Sequence, residues 1–192
     1  MREASLVRTT KETDIELSLA LNGGNDIVID TGIGFFDHML TLFARHGGFD
    51  LEVKCKGDLN VDAHHSIEDI GIVLGKALKE ALGDKYGIRR YGSALIPMDE
   101  TLAEVALDLS GRSYLVFNAA FTTDRIGEFP TEMAEEFFRA VADNAGMTLH
   151  INLRYGKNNH HIAEGIFKAF GHALKDAVAL DGNGILSTKG VL

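Results

Sequence analysis

The chain has very little cysteine and no excess of basic residues, and each shortage excludes a class of protein. Cys55 is the only cysteine among 192 residues, so an internal disulfide framework is excluded. In the alternating stretch FDLEVKCKGD, Cys55 falls in phase with Phe49, Leu51 and Val53, which predicts a core position on a strand. Asp and Glu outnumber Lys and Arg by 28 to 19, for a net charge of −9. Nucleic acid and anionic membranes both require a basic surface, so neither is expected as a partner.

Long apolar runs and targeting signals are also lacking. The sequence has no run of 18 or more apolar residues, and MREASLVRTTKETD does not follow basic residues with apolar ones as a signal peptide does. We therefore expect a cytoplasmic protein. With only two prolines and no linker-like segment, the 45% hydrophobic content favours a single body with one sizeable core.

A repeated motif is the most informative feature that is present. HHSIEDIGIVLGKALKEAL begins at His64, and HHIAEGIFKAFGHALKDAV begins at His160, 96 residues later. The two stretches are identical at nine aligned positions, which include both histidines and the glutamate. Such a repeat at half the chain length indicates an internal duplication.

The segments before each motif also correspond. FDLEVKCKGD and MTLHINLRYG alternate as strands do, and FFDHMLTLFARHGG and TEMAEEFFRAVADNAG have helical spacing with glycine at the end. Alternating runs precede both: DIELSLAL and DIVIDTG in the first half, TLAEVALDLSG and SYLVFNAAF in the second. The prediction is an α/β (α+β) fold made of two strand-strand-helix-strand-helix halves, about 1–95 and 96–192, whose two sheets and packed helices form one body.

Each motif places two adjacent histidines and a glutamate at the start of a helix. Glu68 follows His64 by four residues and His65 by three, so it shares a helix face with either one. The two histidines diverge by about 100° around the helix axis, so they suit two metal ions better than one. Core packing explains repeated apolar residues but not repeated His and Glu. We therefore predict two sites of nitrogen and oxygen ligands, shared between the halves or with a neighbouring subunit, that suit Mn²⁺, Fe²⁺, Zn²⁺ or Co²⁺.

These and other motifs resemble the imidazoleglycerol-phosphate dehydratase family of histidine biosynthesis. The resemblance is carried by TGIGFFDHMLTLFARHGGFDL, DAHHSIEDIGI, GIRRYGSALIPMDETLAEVALDLSGR, YGKNNHHIAEGIFKAF and STKGVL, and runs from about Leu6 to the C-terminus. It implies a duplicated, ribosomal-protein-like α/β fold and two Mn²⁺ ions per active site. It also implies a homo-oligomer of 24 subunits with active sites between subunits.

The resemblance further implies which residues bind the metals. One manganese would be bound by His38, His65, Glu68 and His160, and the other by His64, His161 and Glu164. In many relatives a histidine completes the second set, at the position that Glu136 occupies here. Glu136 is the counterpart of His38 under a shift of 98 residues, and a carboxylate is an acceptable ligand of Mn²⁺. The alternative for Glu136 is a solvated helix face.

The implied reaction is a dehydration of imidazole glycerol phosphate to imidazole acetol phosphate, through an imidazolate held by two manganese ions. It requires a base and an acid, and the implied catalytic residues are Glu12, Glu68 and Glu164. The implied substrate-binding residues are Glu12, His38, His46, Arg90, Arg112, Lys168, Ser187, Thr188 and Lys189. Arginine suits bidentate contact with phosphate.

Simpler interpretations stay open for several of these residues. Arg90 and Arg112 could be ordinary loop arginines, and Lys168 could form an i,i+4 salt bridge with Glu164. His46 could simply end a helix, and His172 is expected to be structural. Two other functions also stay open for the whole chain: a two-metal hydrolase of a phosphorylated small molecule, and a non-catalytic metal-binding assembly protein.

Overall fold

The computed structural model describes residues 2–182 and 184–190, so the last two residues of STKGVL lie outside the described residues. Within these ranges the elements are β1 Glu3–Thr9, β2 Thr13–Ala20, β3 Ile27–Asp30, α1 Gly34–Gly47, β4 Asp50–Gly57, α2 His64–Leu82, β5 Tyr91–Met98, β6 Thr101–Asp108, β7 Tyr114–Asn118, β8 Arg125–Ile126, β9 Phe129–Pro130, α3 Met133–Ala145, β10 Thr148–Tyr155 and α4 Asn159–Val178. None of the helices in this part of the chain is long and apolar enough to cross a membrane.

Two four-stranded sheets with the same strand order form the frame of the molecule. The first has the order β1-β2-β4-β3 and the second β5-β6-β10-β7. In each sheet the last pairing, β3 with β4 or β7 with β10, is parallel, and the other pairings are antiparallel. A parallel pair needs a crossover, and α1 and α3 provide it. The predicted α/β (α+β) class with two sheets and packed helices is confirmed.

The predicted order of elements was wrong in one respect, because each half begins with an additional strand. These strands are β1 and β5, and both lie at the edge of their sheet. Edge strands need little apolar alternation: β1 buries only Ala4 fully, and β5 carries Pro97. A short hairpin, β8–β9, was also not predicted. Cys55 lies on β4 as expected, but it is half-buried where a core position was predicted.

Local sequence explains where the helices that carry the repeated motifs begin. The Asn158 side chain accepts hydrogen bonds from the backbone N–H groups of His160 and His161, as an N-cap residue does. Before α2, where the N-cap residue is Ala63, the carboxylate of Asp62 accepts the N–H of His64. The two histidines of each motif are therefore fixed in the first helical turn.

The helices pack in two pairs, α2 with α3 and α1 with α4. Glycines allow the close approach: a Cβ on Gly75 would lie 2.7 Å from the carbonyl oxygen of Val141, and one on Gly171 would lie 2.6 Å from that of Phe43. Between the pairs lies a cluster of buried phenylalanine rings, with Phe138 and Phe167 4.9 Å apart. This core holds the histidine-bearing ends of the helices in place.

Candidate metal and substrate site

Three side chains from α1 and α4 form a group able to bind a metal ion, which we name the α1–α4 cluster. His38, His160 and Glu164 each offer one ligand atom, and these atoms lie within 4.8 Å of one another. His38 Nε2 is 2.8 Å and His160 Nε2 is 3.2 Å from Glu164 Oε1. Two imidazoles and a carboxylate are a donor set that fits Mn²⁺ and other borderline divalent ions.

Hydrogen bonds from neighbouring side chains favour the ionised form of the Glu164 carboxylate. Its side chain is 8% exposed, and its Oε2 accepts a hydrogen bond of 2.6 Å from Lys168 Nζ. Burial alone would raise the pKa of Glu164, but the hydrogen bonds from Lys168, His38 and His160 outweigh it and lower the pKa to about 2. The i,i+4 salt bridge between Glu164 and Lys168 is thus present. A metal ion bound by Glu164 would compete with the Lys168 ammonium for this carboxylate.

The equivalent positions of the other helix pair are His64, Glu68 and Glu136, which we name the α2–α3 group. His64 Nε2 lies 3.6 Å from Glu68 Oε2, and His64 and Glu136 line the same cavity of about 440 Å³. Glu136 is half-exposed and also lies 3.9 Å from Arg139. Where α4 has Lys168, the shift of 96 residues gives Ile72 on α2. The α2–α3 group is therefore more open and has no equivalent ammonium.

The second histidine of each motif points elsewhere and is held by a carboxylate. His65 Nδ1 lies 3.0 Å from Asp58 Oδ2, and His161 Nδ1 lies 2.7 Å from Glu100 Oε2. These hydrogen bonds raise the pKa of both imidazoles. The bond from His161, with one from the backbone N–H of Asn158, holds the pKa of Glu100 well below its usual range.

Sequence reasoning missed these carboxylates, because acidic residues in strand turns look like ordinary surface charge. Glu100 has one signal that could have found it: it directly precedes the first residue of β6, as Glu12 directly precedes the first residue of β2.

Within one chain, His38 and His160 lie together, and the glutamate beside them is Glu164. The reason is local: Glu164 is one helical turn after His160 on the same helix, whereas Glu68 belongs to α2. The ligand sets that the resemblance implied draw on neighbouring subunits and stay a prediction. In the described residues, neither His65 nor His161 is part of a group of three or more ligands.

Most of the residues expected to bind phosphate share one large groove, but Lys168 does not line it and is paired with Glu164 instead. Arg90 donates to Asp108 through Nε at 2.6 Å and Nη2 at 3.0 Å, and through Nη1 to the carbonyl of Leu186. The pair with Asp108 raises the pKa of Arg90 and fixes its orientation. The groove measures about 1170 Å³, and its lining includes Arg90, Arg112, Ser187, Thr188 and Lys189.

Glu12 and His46 lie outside both the groove and the clusters. Glu12 is in the turn before β2, with its side chain 54% exposed and its Oε1 3.8 Å from His65 Nε2. His46 Nδ1 lies 3.1 Å from His172 Nε2, so His172 has a contact that its sequence position did not suggest. Burial, then the charges of His172 and Lys168, lower the pKa of His46.

Comparisons with known proteins identify the family of this chain. The family model described as imidazoleglycerol-phosphate dehydratase matches residues 31–174. Curated proteins of that name are 60% identical over 193 residues in Acetivibrio thermocellus, covering 100% of this chain and 99% of the relative, and 59% identical over 194 residues in Bacillus cereus strain AH187, covering both completely.

Solved structures of two relatives have the same fold as this chain. The imidazoleglycerol-phosphate dehydratase of Staphylococcus aureus subsp. aureus N315 superposes with a TM-score of 0.85 at 46% identity, over 93% of this chain and 99% of that one. The structure of the Pyrococcus furiosus enzyme in complex with (S)-C348 superposes with a TM-score of 0.85 at 40% identity. The match covers 97% of this chain and 100% of that one. The motifs, the fold and these relatives together establish that the chain belongs to the imidazoleglycerol-phosphate dehydratase family.

Proposed function

We propose that this protein dehydrates imidazole glycerol phosphate to imidazole acetol phosphate in L-histidine biosynthesis, with two Mn²⁺ ions per active site. The observation that carries the proposal is the α1–α4 cluster, in which a buried, ionised carboxylate lies between two imidazoles. Membership of the family supplies the substrate. When bound, the ions supply the positive charge that makes an imidazole ring acidic.

The ligand sets of this proposal follow the geometry of the chain. One ion is held by His38, His160 and Glu164, and the equivalent residues His64, Glu68 and Glu136 hold the other. Each set supplies three ligands, which is fewer than Mn²⁺ usually takes. We assign a further ligand to the second histidine of a motif, His65 or His161, on a neighbouring subunit, since these rings lie apart from both sets within one chain. Active sites between subunits follow from this division, in keeping with the 24-subunit assembly that we propose by resemblance.

The proton transfers fall to the glutamates that are not committed to a cation. The reaction expels the hydroxyl next to the imidazole ring and removes a proton from the adjacent carbon, which gives an enol that becomes the ketone. Glu164 is a poor proton carrier near neutral pH, because its pKa is about 2. Glu12 is exposed and adjacent to His65, so we assign the proton transfer to Glu12.

The phosphate end of the substrate is bound by the groove. Arg90, Arg112 and Lys189 supply positive charge in a chain that is otherwise acidic, and Ser187 and Thr188 supply hydroxyl groups. Asp108 keeps the Arg90 guanidinium in one orientation, and its Nη1 end faces the 185–189 segment. Arginine and lysine in this arrangement hold a phosphate without hydrolysing it.

An activity assay tests the proposal directly. Purified protein supplied with Mn²⁺ should convert imidazole glycerol phosphate to the acetol phosphate without releasing inorganic phosphate. Release of inorganic phosphate would instead support a two-metal hydrolase. Tight metal binding without turnover would support a metal-binding assembly protein. Both products are measurable in one reaction, so the three functions are separated by a single experiment.

A further inference from the structure

The two halves carry equivalent hairpin turns whose glutamates have different surroundings. Thr13 and Thr101 are both buried as the first residues of β2 and β6, and Glu12 and Glu100 directly precede them. The Glu12 carboxylate is 54% exposed and has its nearest imidazole at 3.8 Å. The Glu100 carboxylate, in contrast, accepts hydrogen bonds from several groups at once.

Both oxygens of Glu100 bind the segment that begins α4. Oε1 accepts the backbone N–H of Lys157 at 3.1 Å and that of Asn158 at 2.8 Å, while Oε2 is 2.7 Å from His161 Nδ1. Asn158 in turn caps α4 through the N–H groups of its first histidines. Glu100 therefore fixes both the backbone before His161 and the ring of His161.

The first half achieves the same result with a different residue. His65 Nδ1 is held at 3.0 Å by Asp58, which follows β4, and not by Glu12. Among the described residues, the Glu12 carboxylate has only this longer contact with His65 at 3.8 Å, whereas both oxygens of Glu100 accept hydrogen bonds. The two equivalent turns therefore differ in hydrogen bonding more than in exposure, since the Glu12 side chain is 54% exposed and that of Glu100 is 38% exposed.

We propose that Glu100 is a positioning residue, which holds the Nδ1–H of His161 so that Nε2 is presented as a metal ligand. The inference rests on the proposed function, in which His161 completes the ligands of an ion on a neighbouring subunit. A carboxylate behind a ligating histidine fixes both the tautomer and the ring orientation. Glu100 acts on the ion only through His161.

Glu100→Gln tests this role selectively. The glutamine carbonyl can still accept the two backbone N–H groups, so the segment before α4 keeps its hydrogen bonds. Its amide nitrogen, however, donates a proton towards Nδ1 and forces the proton of the neutral ring onto Nε2, which then cannot bind a metal. We expect the affinity for one of the two Mn²⁺ ions per chain to fall about 10- to 100-fold, with the melting temperature of the metal-free protein close to that of the parent.

The measurement is a Mn²⁺ titration of chelator-treated protein, with free Mn²⁺ followed by electron paramagnetic resonance. Glu104→Gln is the matched control, because Glu104 lies on β6, four residues after Glu100, and pairs with Arg154. It should bind both ions as the parent does. His161→Gln should lose the same ion, and adding Glu100→Gln to it should cause no further loss.

The outcomes separate this inference from the proposed function. If His161→Gln weakens one ion while Glu100→Gln binds both with parental affinity, the role of Glu100 is overturned and the ligand assignment stands. The role is likewise overturned if Glu100→Gln weakens binding equally in the His161→Gln background. If His161→Gln retains both ions, His161 is not a ligand, and the metal assignment of the proposed function fails together with the inference.

Discussion

Glutamates at equivalent positions of the two motifs differ in chemistry because their neighbours differ. Glu164 is buried beside Lys168 and two imidazoles, so it is an ionised ligand at neutral pH. Glu68 has a side chain that is 44% exposed, and Ile72 takes the position of the lysine. A cation that enters the α1–α4 cluster must displace an ammonium from Glu164, whereas a cation at Glu68 need not. The two ion positions are therefore unequal before any metal binds.

The low pKa of Glu164 predicts an acid-sensitive contribution to stability. A carboxyl with a lowered pKa in the folded state stabilises that state above its ordinary pKa of 4.5, and the contribution is lost as the pH falls towards about 2. At 1.36 kcal/mol per pH unit the full effect is on the order of 3 kcal/mol. We expect Glu164→Gln to lower the free energy of unfolding of the metal-free protein at pH 6 and to remove this part of its pH dependence.

Urea unfolding of metal-free protein between pH 6 and pH 2 measures this effect. Glu68→Gln is the matched control, since Glu68 occupies the equivalent position on a more exposed surface. It should keep the acid sensitivity of the parent. An unchanged pH dependence in Glu164→Gln would contradict the account of its buried ion pairs.

At the scale of elements, the distance between α1 and α4 sets the geometry of the α1–α4 cluster, because His38 is on one helix and Glu164 on the other. Gly171 lies at the crossing point of these helices: a Cβ there would be 2.6 Å from the Phe43 carbonyl oxygen and 3.1 Å from the Gly47 nitrogen. Backbone atoms cannot move aside as a flexible side chain can. The glycine therefore links helix packing to the ligand distances.

Gly171→Ala should separate the two helices and destabilise the protein by about 1–3 kcal/mol, the usual cost of overpacking. It should also weaken binding of one Mn²⁺ ion, because His38 moves away from Glu164. Thermal unfolding and the Mn²⁺ titration measure the two effects. Gly34→Ala is the control, since a Cβ on this α1 residue meets nothing within 4 Å. Equal stability of Gly171→Ala and the parent would show that the crossing tolerates a side chain.

The same scale shows what the sequence could and could not predict. The four helices were predictable to within two residues, because helical periodicity and terminal glycines such as Gly48 and Gly146 mark them. Strands β1 and β5 were not, since an edge strand buries too little to alternate clearly. The repeat marked the histidines and glutamates of α2 and α4, whereas His38 and Glu136 came from the resemblance to the family. The sequence could not predict which glutamate lies beside which histidine, because that depends on how helices from different parts of the chain cross.

At the scale of the whole molecule, the proposed function gives each chain two incomplete ligand sets and two further histidines held apart from them. His65 and His161 are oriented by Asp58 and Glu100, and in the described part of the chain neither belongs to a group of three or more ligands. The chain also carries a net charge of −9, which opposes the association of identical subunits. Divalent ions bound between subunits would offset part of that charge and link the chains.

This arrangement predicts that assembly depends on the metal. Removing Mn²⁺ with a chelator should convert the proposed 24-subunit particle into smaller oligomers, because ligand sets shared between subunits would lose their bridging ion and the acidic surfaces would then repel each other. Adding Mn²⁺ should restore the particle, and light scattering measures both steps. His65→Gln should resist restoration, since it removes a ligand given to the neighbouring chain. His150→Gln is the control: His150 is exposed on β10 outside both ligand sets, so this variant should reassemble as the parent does. A particle of unchanged size after complete removal of the metal would show that subunit contacts other than the ions hold it together.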